Sequence, residues 1–303
     1  MKQGLLDIES LSRADIEAIL TRSKDFQPAP QQTFKRFEIL RGRSVVNLFF
    51  EASTRTRTSF EMAAKRLGAD TVSITASGSS VSKGESLVDT LNTLAAMRPD
   101  AIVMRHAASG APHFLSRYLP IPIVNAGDGT HEHPTQALLD ARTILDRRGT
   151  LEGLRVAIIG DIAHSRVARS NIFLLSKFSA RVVLCGPASL LPREMGQIAP
   201  GVELTSDMET AIRGADVIMM LRVQLERQHS VAFPASEYFQ FFGLRPEHVE
   251  LATPDVVVMH PGPINRGREI SSEVADSQRS AILNQVENGV AVRMAVLERV
   301  LAA

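Results

Sequence analysis

Cysteine is almost absent: Cys185 is the only one in 303 residues. That excludes an internal disulfide and a cysteine-based zinc site, and it suits a reducing compartment. Cys185 ends the strand-like run Arg181-Val182-Val183-Leu184-Cys185, where a buried, inert thiol is expected rather than a nucleophile. Net charge is nearly absent too. Lys+Arg of 34 against Asp+Glu of 33 leave +1, so there is no global basic field for nucleic acid or an anionic membrane. Any anion site has to be local. No apolar run reaches membrane-spanning length, and Met1-Lys2-Gln3-Gly4-Leu5-Leu6-Asp7 lacks a signal-peptide core. The expected location is the cytoplasm. No Gly-x-Gly-x-x-Gly follows the strand at Gly160 and no Gly-x-x-x-x-Gly-Lys-Ser/Thr occurs, so dinucleotide and nucleoside-triphosphate chemistry lose their usual support. A Gly-x-Ser-x-Gly elbow for a Ser-His-Asp hydrolase is also missing. His131-Glu132-His133 has neither a helical His-Glu-x-x-His pattern nor a clustered third ligand. No metal and no cofactor are expected.

What is present is a chain long enough for two α/β domains, with 44% hydrophobic residues to fill their cores. Short apolar, β-branched runs alternate with 3.6-periodic segments, which implies parallel sheets with right-handed crossovers. The first unit holds a helix over Asp7–Leu20 capped by Ser12, then strands at Ser44–Phe50, Asp70–Ile74, Ala101–Met104 and Ile121–Val124. Helices are expected over Ser86–Leu94, around His113–Tyr118 and from Pro134. A charged break at Arg147-Arg148-Gly149-Thr150 opens the second unit. Its strands are Leu154–Ile159, Arg181–Cys185, Val202–Leu204, Ala215–Leu221 and Asp255–Met259. Ser165–Phe178 reads as a helix, and Ser206-Asp207-Met208-Glu209 has capping-box spacing before a short one. Gln224–Thr253 is longer than an ordinary connector, a mark of functional loops. From Ser277 a helix runs to the end, with Ile282, Val286, Val296, Leu297 and Val300 on its apolar side. There is no repeat of fixed period and no low-complexity segment.

The chain is organised around Phe49-Phe50-Glu51-Ala52-Ser53-Thr54-Arg55-Thr56-Arg57-Thr58-Ser59-Phe60. A buried strand ends there, and Phe60, Ala63, Ala64 and Leu67 then mark one helix face, with Gly68 as the stop. The first turn's free N–H groups and the helix dipole favour negative charge. Ser53, Thr54, Arg55 and Thr56 make that turn a phosphate cradle built without a glycine-rich loop. Other strand ends carry the same chemistry: Arg105, the Asn125–Gln136 segment with His133, Asp161–Arg166, Arg222-Val223-Gln224, and His260-Pro261-Gly262-Pro263. Ligands of open α/β sheets bind beyond the carboxyl ends of the strands. Arginines and histidines there, on both units, suggest one cleft for a small polyanion. Pro134 puts His133 near a helix cap, where the dipole favours a neutral imidazole able to hydrogen-bond a carbonyl.

Several ordered stretches resemble the aspartate carbamoyltransferase family over nearly the full length. They are Phe49–Arg57, His133-Pro134-Thr135-Gln136-Ala137-Leu138-Leu139-Asp140, Arg222-Val223-Gln224-Leu225-Glu226-Arg227 and His260-Pro261-Gly262-Pro263. The resemblance implies a transferase that moves the carbamoyl group of carbamoyl phosphate to the amino group of L-aspartate, the committed step of pyrimidine biosynthesis. It implies two Rossmann-like domains. Residues 1–148 would bind carbamoyl phosphate, with a helix of about 277–303 packed back on them, and 149–276 would bind aspartate. By position, Ser53, Thr54, Arg55, Thr56 and Arg105 would hold phosphate, and Thr56, Arg105 and His133 would polarise the carbamoyl oxygen. Gln136 would hold the amide nitrogen, and the carbonyls of Pro261 and Gly262, in the loop closed by Pro263, would receive its hydrogens. Arg166, Arg222 and Gln224 would bind the two carboxylates of aspartate. Lys83, with Ser79 as the aligned serine, would enter the neighbouring chain's site in a homotrimer and face phosphate and aspartate there.

The loop His260–Gly267 resembles the branch of the family without the zinc-bearing regulatory chain, leaving a free trimer or an assembly with dihydroorotase-like chains. The nearest rival is a transcarbamoylase for ornithine or another amine. Arg222-Val223-Gln224 favours a second carboxylate instead. The other rival is a non-catalytic relative, against which Arg55, Thr56, Arg105, His133 and Gln136 are all present.

Overall fold

The computed structural model describes residues 4–27, 36–75, 87–223 and 235–302. Its contacts divide the chain into two compact units, Met1–Leu138 with Glu287–Ala303, and Leu139–Val286. The first unit contains α1 (Arg13–Asp25), β1 (Ser44–Phe49), α2 (Thr54–Arg66), β2 (Asp70–Thr75), α3 (Leu87–Ala96), β3 (Ala101–His106), α4 (Ala111–Ser116) and β4 (Ile123–Asp128). The division falls inside the next helix, α5 (Pro134–Arg148). In the second unit follow β5 (Arg155–Ile159), α6 (Arg166–Ser176), β6 (Arg181–Cys185), β7 (Val202–Thr205), α7 (Met208–Ile212) and β8 (Val217–Met220). After them come α8 (Ala235–Phe242), α9 (Pro246–Val249), β9 (Val257–Met259), α10 (Ser272–Ala275) and α11 (Ile282–Leu301), the last of which crosses back into the first unit.

Both sheets are parallel throughout, as the alternation of elements requires. Their orders are β2-β1-β3-β4 and β7-β6-β5-β8-β9. Each chain path therefore winds one way and then reverses. The reversal falls between β1 and β3 in one sheet and between β5 and β8 in the other. At such a switch point the two outgoing connections leave on opposite faces and open a crevice at the strands' carboxyl ends. In the first unit Val46, Leu48, Ile102 and Met104 pack with Leu91, Leu94 and Leu115. The second unit's core joins β5, β6 and β8 to Tyr238, Phe242, Leu244 and Val249. Cys185 is fully buried there, and burial pushes its thiol up to about 12. It is inert by environment.

Local chemistry sets the element ends. Ser12 and Asp15 form a reciprocal capping box that starts α1. The helix expected from Asp7 thus begins only at Arg13. Before it stands one separate turn, in which the Asp7 carboxylate takes the Ser10 N–H at 2.7 Å, Leu11 N donates to the Ile8 carbonyl at 3.1 Å and Glu132 takes the Ile8 N–H at 3.0 Å. Gly68 ends α2 with φ of 86°, and a Cβ there would stand 3.1 Å from the Phe37 carbonyl. Asp207, rather than Ser206, caps α7, accepting from Glu209 N. β4 begins at Ile123 and runs on through Asn125–Asp128, beyond the expected Val124. Two differences concern the last helix. Ala281 N donates to Val258 O and Val258 N to Arg279 O, so this backbone pairs with β9 and α11 starts at Ile282 rather than Ser277. Val286 is 55% exposed and lies off the buried side that Val296, Leu297 and Val300 occupy. Among the described residues of the long Gln224–Thr253 connector, α8 and α9 contribute core side chains instead of a loop.

Candidate active site

In the first unit the β1–α2 turn and the end of β3 are adjacent by register. Phe49 pairs with Arg105, and Phe50 N donates to the Arg105 carbonyl at 2.8 Å. Ser53 is the N-cap of α2 in extended conformation, yet its side chain makes no cap hydrogen bond, and no acid stands in the first turn. The N-terminal dipole is therefore not neutralised from within the helix. Thr54 and Arg55 are exposed and Thr56 is buried. The Arg105 guanidinium donates from Nη2 to Glu51 Oε1 at 2.6 Å and from Nη1 to the Ala126 carbonyl at 3.4 Å. Its side chain is 11% exposed, so this ion pair sits at the protein boundary with little water around it. Glu51 lies inside the key motif but was not among the expected site residues. Its place at the strand end, two residues ahead of Ser53, was the available signal.

His133 is buried and sits at the cap of α5: Gln136 N and Ala137 N both donate to its carbonyl. Gln136, on the first turn of α5, is buried as well. The loop that carries them is braced by Asp128, whose carboxylate accepts from Gly110 N at 2.6 Å, Asn125 Nδ2 at 2.8 Å and Glu132 N at 3.2 Å. Hydrogen bonds from His131, Asn125 and Gly110 outweigh burial and hold this carboxyl below its ordinary value.

In the second unit Asp161 and Arg166 follow β5 and Arg222 follows β8, the two strands of that sheet's switch point. Ser165 caps α6 by accepting from Ala168 N at 3.1 Å, which makes the buried Arg166 its first residue. Arg222 is half-buried, and the backbone beside it is pinned by Glu269, which accepts from Val223 N at 3.1 Å and Asn265 Nδ2 at 2.9 Å. Burial pushes the Glu269 carboxyl up. After β9, His260 Nδ1 accepts from Gly262 N at 2.8 Å, and the Gly262–Pro263 bond is cis. Pro261 and Gly262 are half-buried and Pro263 is exposed. A buried chain supports this turn. Asn171 Nδ2 and Gln285 Nε2 donate to Asp140 at 2.9 and 2.7 Å, and Gln285 Oε1 accepts from His260 N at 2.9 Å. Asp140, Glu269 and Gln285 were not singled out as site residues. Only Asp140 carried a signal, as the last residue of the His133–Asp140 stretch. Ser79, Lys83 and Gln224 lie outside the described residues.

The structure thus brings Ser53–Thr56, Glu51 and Arg105 to one switch point and Asp161, Arg166 and Arg222 to another. This is the arrangement of an α/β enzyme that takes small anions at the carboxyl edges of its sheets. Residues 3–146 match the family model for the aspartate/ornithine carbamoyltransferase carbamoyl-P binding domain, and 152–300 that for the Asp/Orn binding domain. The chain belongs to the aspartate/ornithine carbamoyltransferase family. It is 77% identical over 301 residues to the aspartate carbamoyltransferase catalytic subunit of Solibacter usitatus, covering 99% of this chain and all of that one. Identity to the Syntrophotalea carbinolica catalytic subunit is 55%, over 97% of this chain and 93% of that one. Among solved structures, Trypanosoma cruzi aspartate transcarbamoylase with N-(phosphonacetyl)-L-aspartic acid superposes with a TM-score of 0.89 at 33% identity, covering 99% and 96% of the two chains. Ornithine carbamoyltransferase from Pyrococcus furiosus gives 0.88 at 31% identity, covering 99% and 97%. The fold is common to both activities.

Proposed function

We propose that the chain catalyses transfer of the carbamoyl group from carbamoyl phosphate to the amino group of L-aspartate, giving N-carbamoyl-L-aspartate and phosphate in pyrimidine biosynthesis. One observation carries this reading: the acid-free start of α2, with no side-chain cap bond at Ser53, follows directly on Phe49, the strand residue in register with Arg105. Two structural neighbours so alike in fold do not separate aspartate from ornithine, but the 77% identity to an aspartate enzyme favours aspartate. So does Arg222, a cation suited to a second carboxylate.

In the proposed reaction Ser53, Thr54, Arg55, Thr56 and Arg105 hold the phosphate. Thr56, Arg105 and His133 donate to the carbamoyl oxygen, Gln136 holds the amide nitrogen, and the carbonyls of Pro261 and Gly262, beside Pro263, accept its hydrogens. Arg166, Arg222 and Gln224 take the carboxylates of aspartate. The amine nitrogen attacks the carbamoyl carbon, negative charge develops on the oxygen facing the three donors, and the carbon–oxygen bond to phosphate then breaks. The departing phosphate takes the amine proton. Positioning and oxyanion stabilisation by preorganised donors supply the rate.

Residues 1–148, with the segment of about 277–303, are assigned to carbamoyl phosphate and 149–276 to aspartate. The enzyme acts in the cytoplasm as a homotrimer, in which Ser79 and Lys83 enter the neighbouring chain's site, alone or with dihydroorotase-like chains. Among the described residues no helix is long and apolar enough to cross a membrane. A steady-state assay with carbamoyl phosphate against aspartate and ornithine tests the reaction; robust ornithine turnover refutes it. Shared sites are tested by mixing inactive Lys83→Ala and Arg55→Ala chains, dissociating them and letting them reassemble. Activity returns if hybrid trimers regain one intact site, and stays at the level of the single variants if every site is built from one chain.

A further inference from the structure

Three side chains that carbamoyl transfer leaves unused converge in the first unit. His113 comes from α4, Asp128 ends β4, and His131 follows in the loop before α5. Each offers one ligand atom, and the three atoms lie within 4.8 Å of one another. We propose that His113, Asp128 and His131 form a binding site for a divalent transition-metal ion of the zinc class. Two imidazoles and a carboxylate are donors that zinc accepts, whereas calcium and magnesium favour oxygen ligands throughout. Ligands about 2.1 Å from a tetrahedral zinc ion stand about 3.4 Å apart, so a pair as wide as 4.8 Å has to close by about 1.4 Å, shared between its two side chains.

The surroundings are built as metal sites usually are. Asp128 is fully buried and held in place by three N–H donors, from Gly110, Asn125 and Glu132. His113 Nε2 lies 2.6 Å from Asp7 Oδ2, and Asp7 Oδ1 in turn accepts from Ser10 N. A carboxylate that orients an imidazole through one nitrogen, leaving the other to the metal, is the recurring outer partner of zinc-bound histidine. The other nitrogen here, His113 Nδ1, is buried and has no hydrogen-bond partner among the described residues. His131 Nδ1 stands 3.1 Å from Asp128 Oδ2, and the two imidazole rings meet edge-on with centroids 5.3 Å apart. Their side chains are 34% and 31% exposed, which gives an ion a path from solvent. Glu132 is not a candidate ligand, because its carboxylate receives Ile8 N and Glu9 N. The His113–Asp7 hydrogen bond, fastening Asp7 to α4, and the His131–Asp128 hydrogen bond within the loop after β4 would explain part of this geometry, but not the buried Nδ1 of His113. A bound ion would fasten α4 to the loop that leads into His133. The site stands independently of the carbamoyl-transfer reading.

The test is calorimetric titration of the full-length, chelator-treated chain with zinc chloride, repeated with cobalt chloride to read the visible ligand-field bands. The parent chain should bind one ion per chain. Loss of an outer partner typically weakens metal sites by about 10- to 100-fold, so Asp7→Asn should fall in that range. His113→Gln and His131→Gln should lose more and lack the cobalt bands. His164→Gln, in the second unit and paired with Asp161 at 2.8 Å, should bind as the parent does. Circular dichroism of each metal-free variant reports folding, and zinc should raise the thermal midpoint of the parent but not of the His131→Gln variant. Substoichiometric binding by the parent, or parental affinity in both His113→Gln and His131→Gln, overturns the proposal.

Discussion

Replacing Arg105 by alanine has two separable consequences. The guanidinium donates to Glu51 Oε1 at 2.6 Å and to the Ala126 carbonyl at 3.4 Å from a side chain 11% exposed. If it also donates to the oxyanion in the transition state, its loss should match that of an oxyanion-hole donor, about 2.7–4 kcal/mol or roughly 10²–10³ in kcat. The second consequence concerns Glu51, whose carboxylate, 21% exposed, loses the Arg105 cation. Taking a cation from a partly buried carboxylate costs about 1–3 kcal/mol of stability. Removing both residues should then restore part of the stability but none of the activity. Phosphate release measured in the steady state gives the first quantity, and urea unfolding of Arg105→Ala, Glu51→Ala and the double variant gives the second. A threefold or smaller change in kcat/KM refutes the catalytic role. Stability losses that simply add would show that the ion pair carries no coupling.

The second unit and the sheet edges yield three more expectations. Arg222→Ala should raise KM for aspartate by about ten- to a hundredfold, the scale of about 1.5–3 kcal/mol for hydrogen bonds to a charged group, with much less effect on KM for carbamoyl phosphate; equal effects on both would place Arg222 elsewhere in the reaction. Asp140→Ala removes the acceptor of the buried Gln285 Nε2 and one of two acceptors of Asn171 Nδ2, which keeps the Val167 carbonyl at 3.0 Å. It should lower unfolding stability by about 1–3 kcal/mol and speed hydrogen exchange at His260 N, whereas parental exchange there would mean the turn stands without this chain. Asp100 holds the start of β1: burial pushes its carboxyl up, but Ser44 N at 2.9 Å and Arg43 at 2.8 Å outweigh this and lower it from 3.8. Its contribution is therefore present above that ordinary value and is lost as pH falls through the folded one. Asp100→Asn should cost about 0.5–1 kcal/mol near pH 7, discounted for solvent screening, and progressively less in acid. A penalty independent of pH would contradict the assignment.

Much of the architecture is written in short-range patterns. Strand and helix alternation, Ser12 before α1, Gly68 after α2 and the strand-end placement of Ser53, Arg105, Arg166 and Arg222 are all legible locally. Hydrophobic period and cap chemistry act over a few residues, so they survive without knowledge of the fold. The tertiary structure decided what depends on residues far apart in the chain. Nothing near Asp7 or Glu132 announces their partners 106 and 124 positions away, yet these bonds hold the turn that precedes α1. The pairing of residues 279–281 with β9 similarly delays α11, and the Asp140–Gln285 bond spans 145 positions. The His113, Asp128 and His131 set is of the same kind. The local run His131-Glu132-His133 pointed to neighbouring side chains, two of which face other tasks, while the third donor arrives from α4 only because that helix returns beside β4. Such contacts follow from strand order, and strand order comes from global burial rather than from any window of sequence.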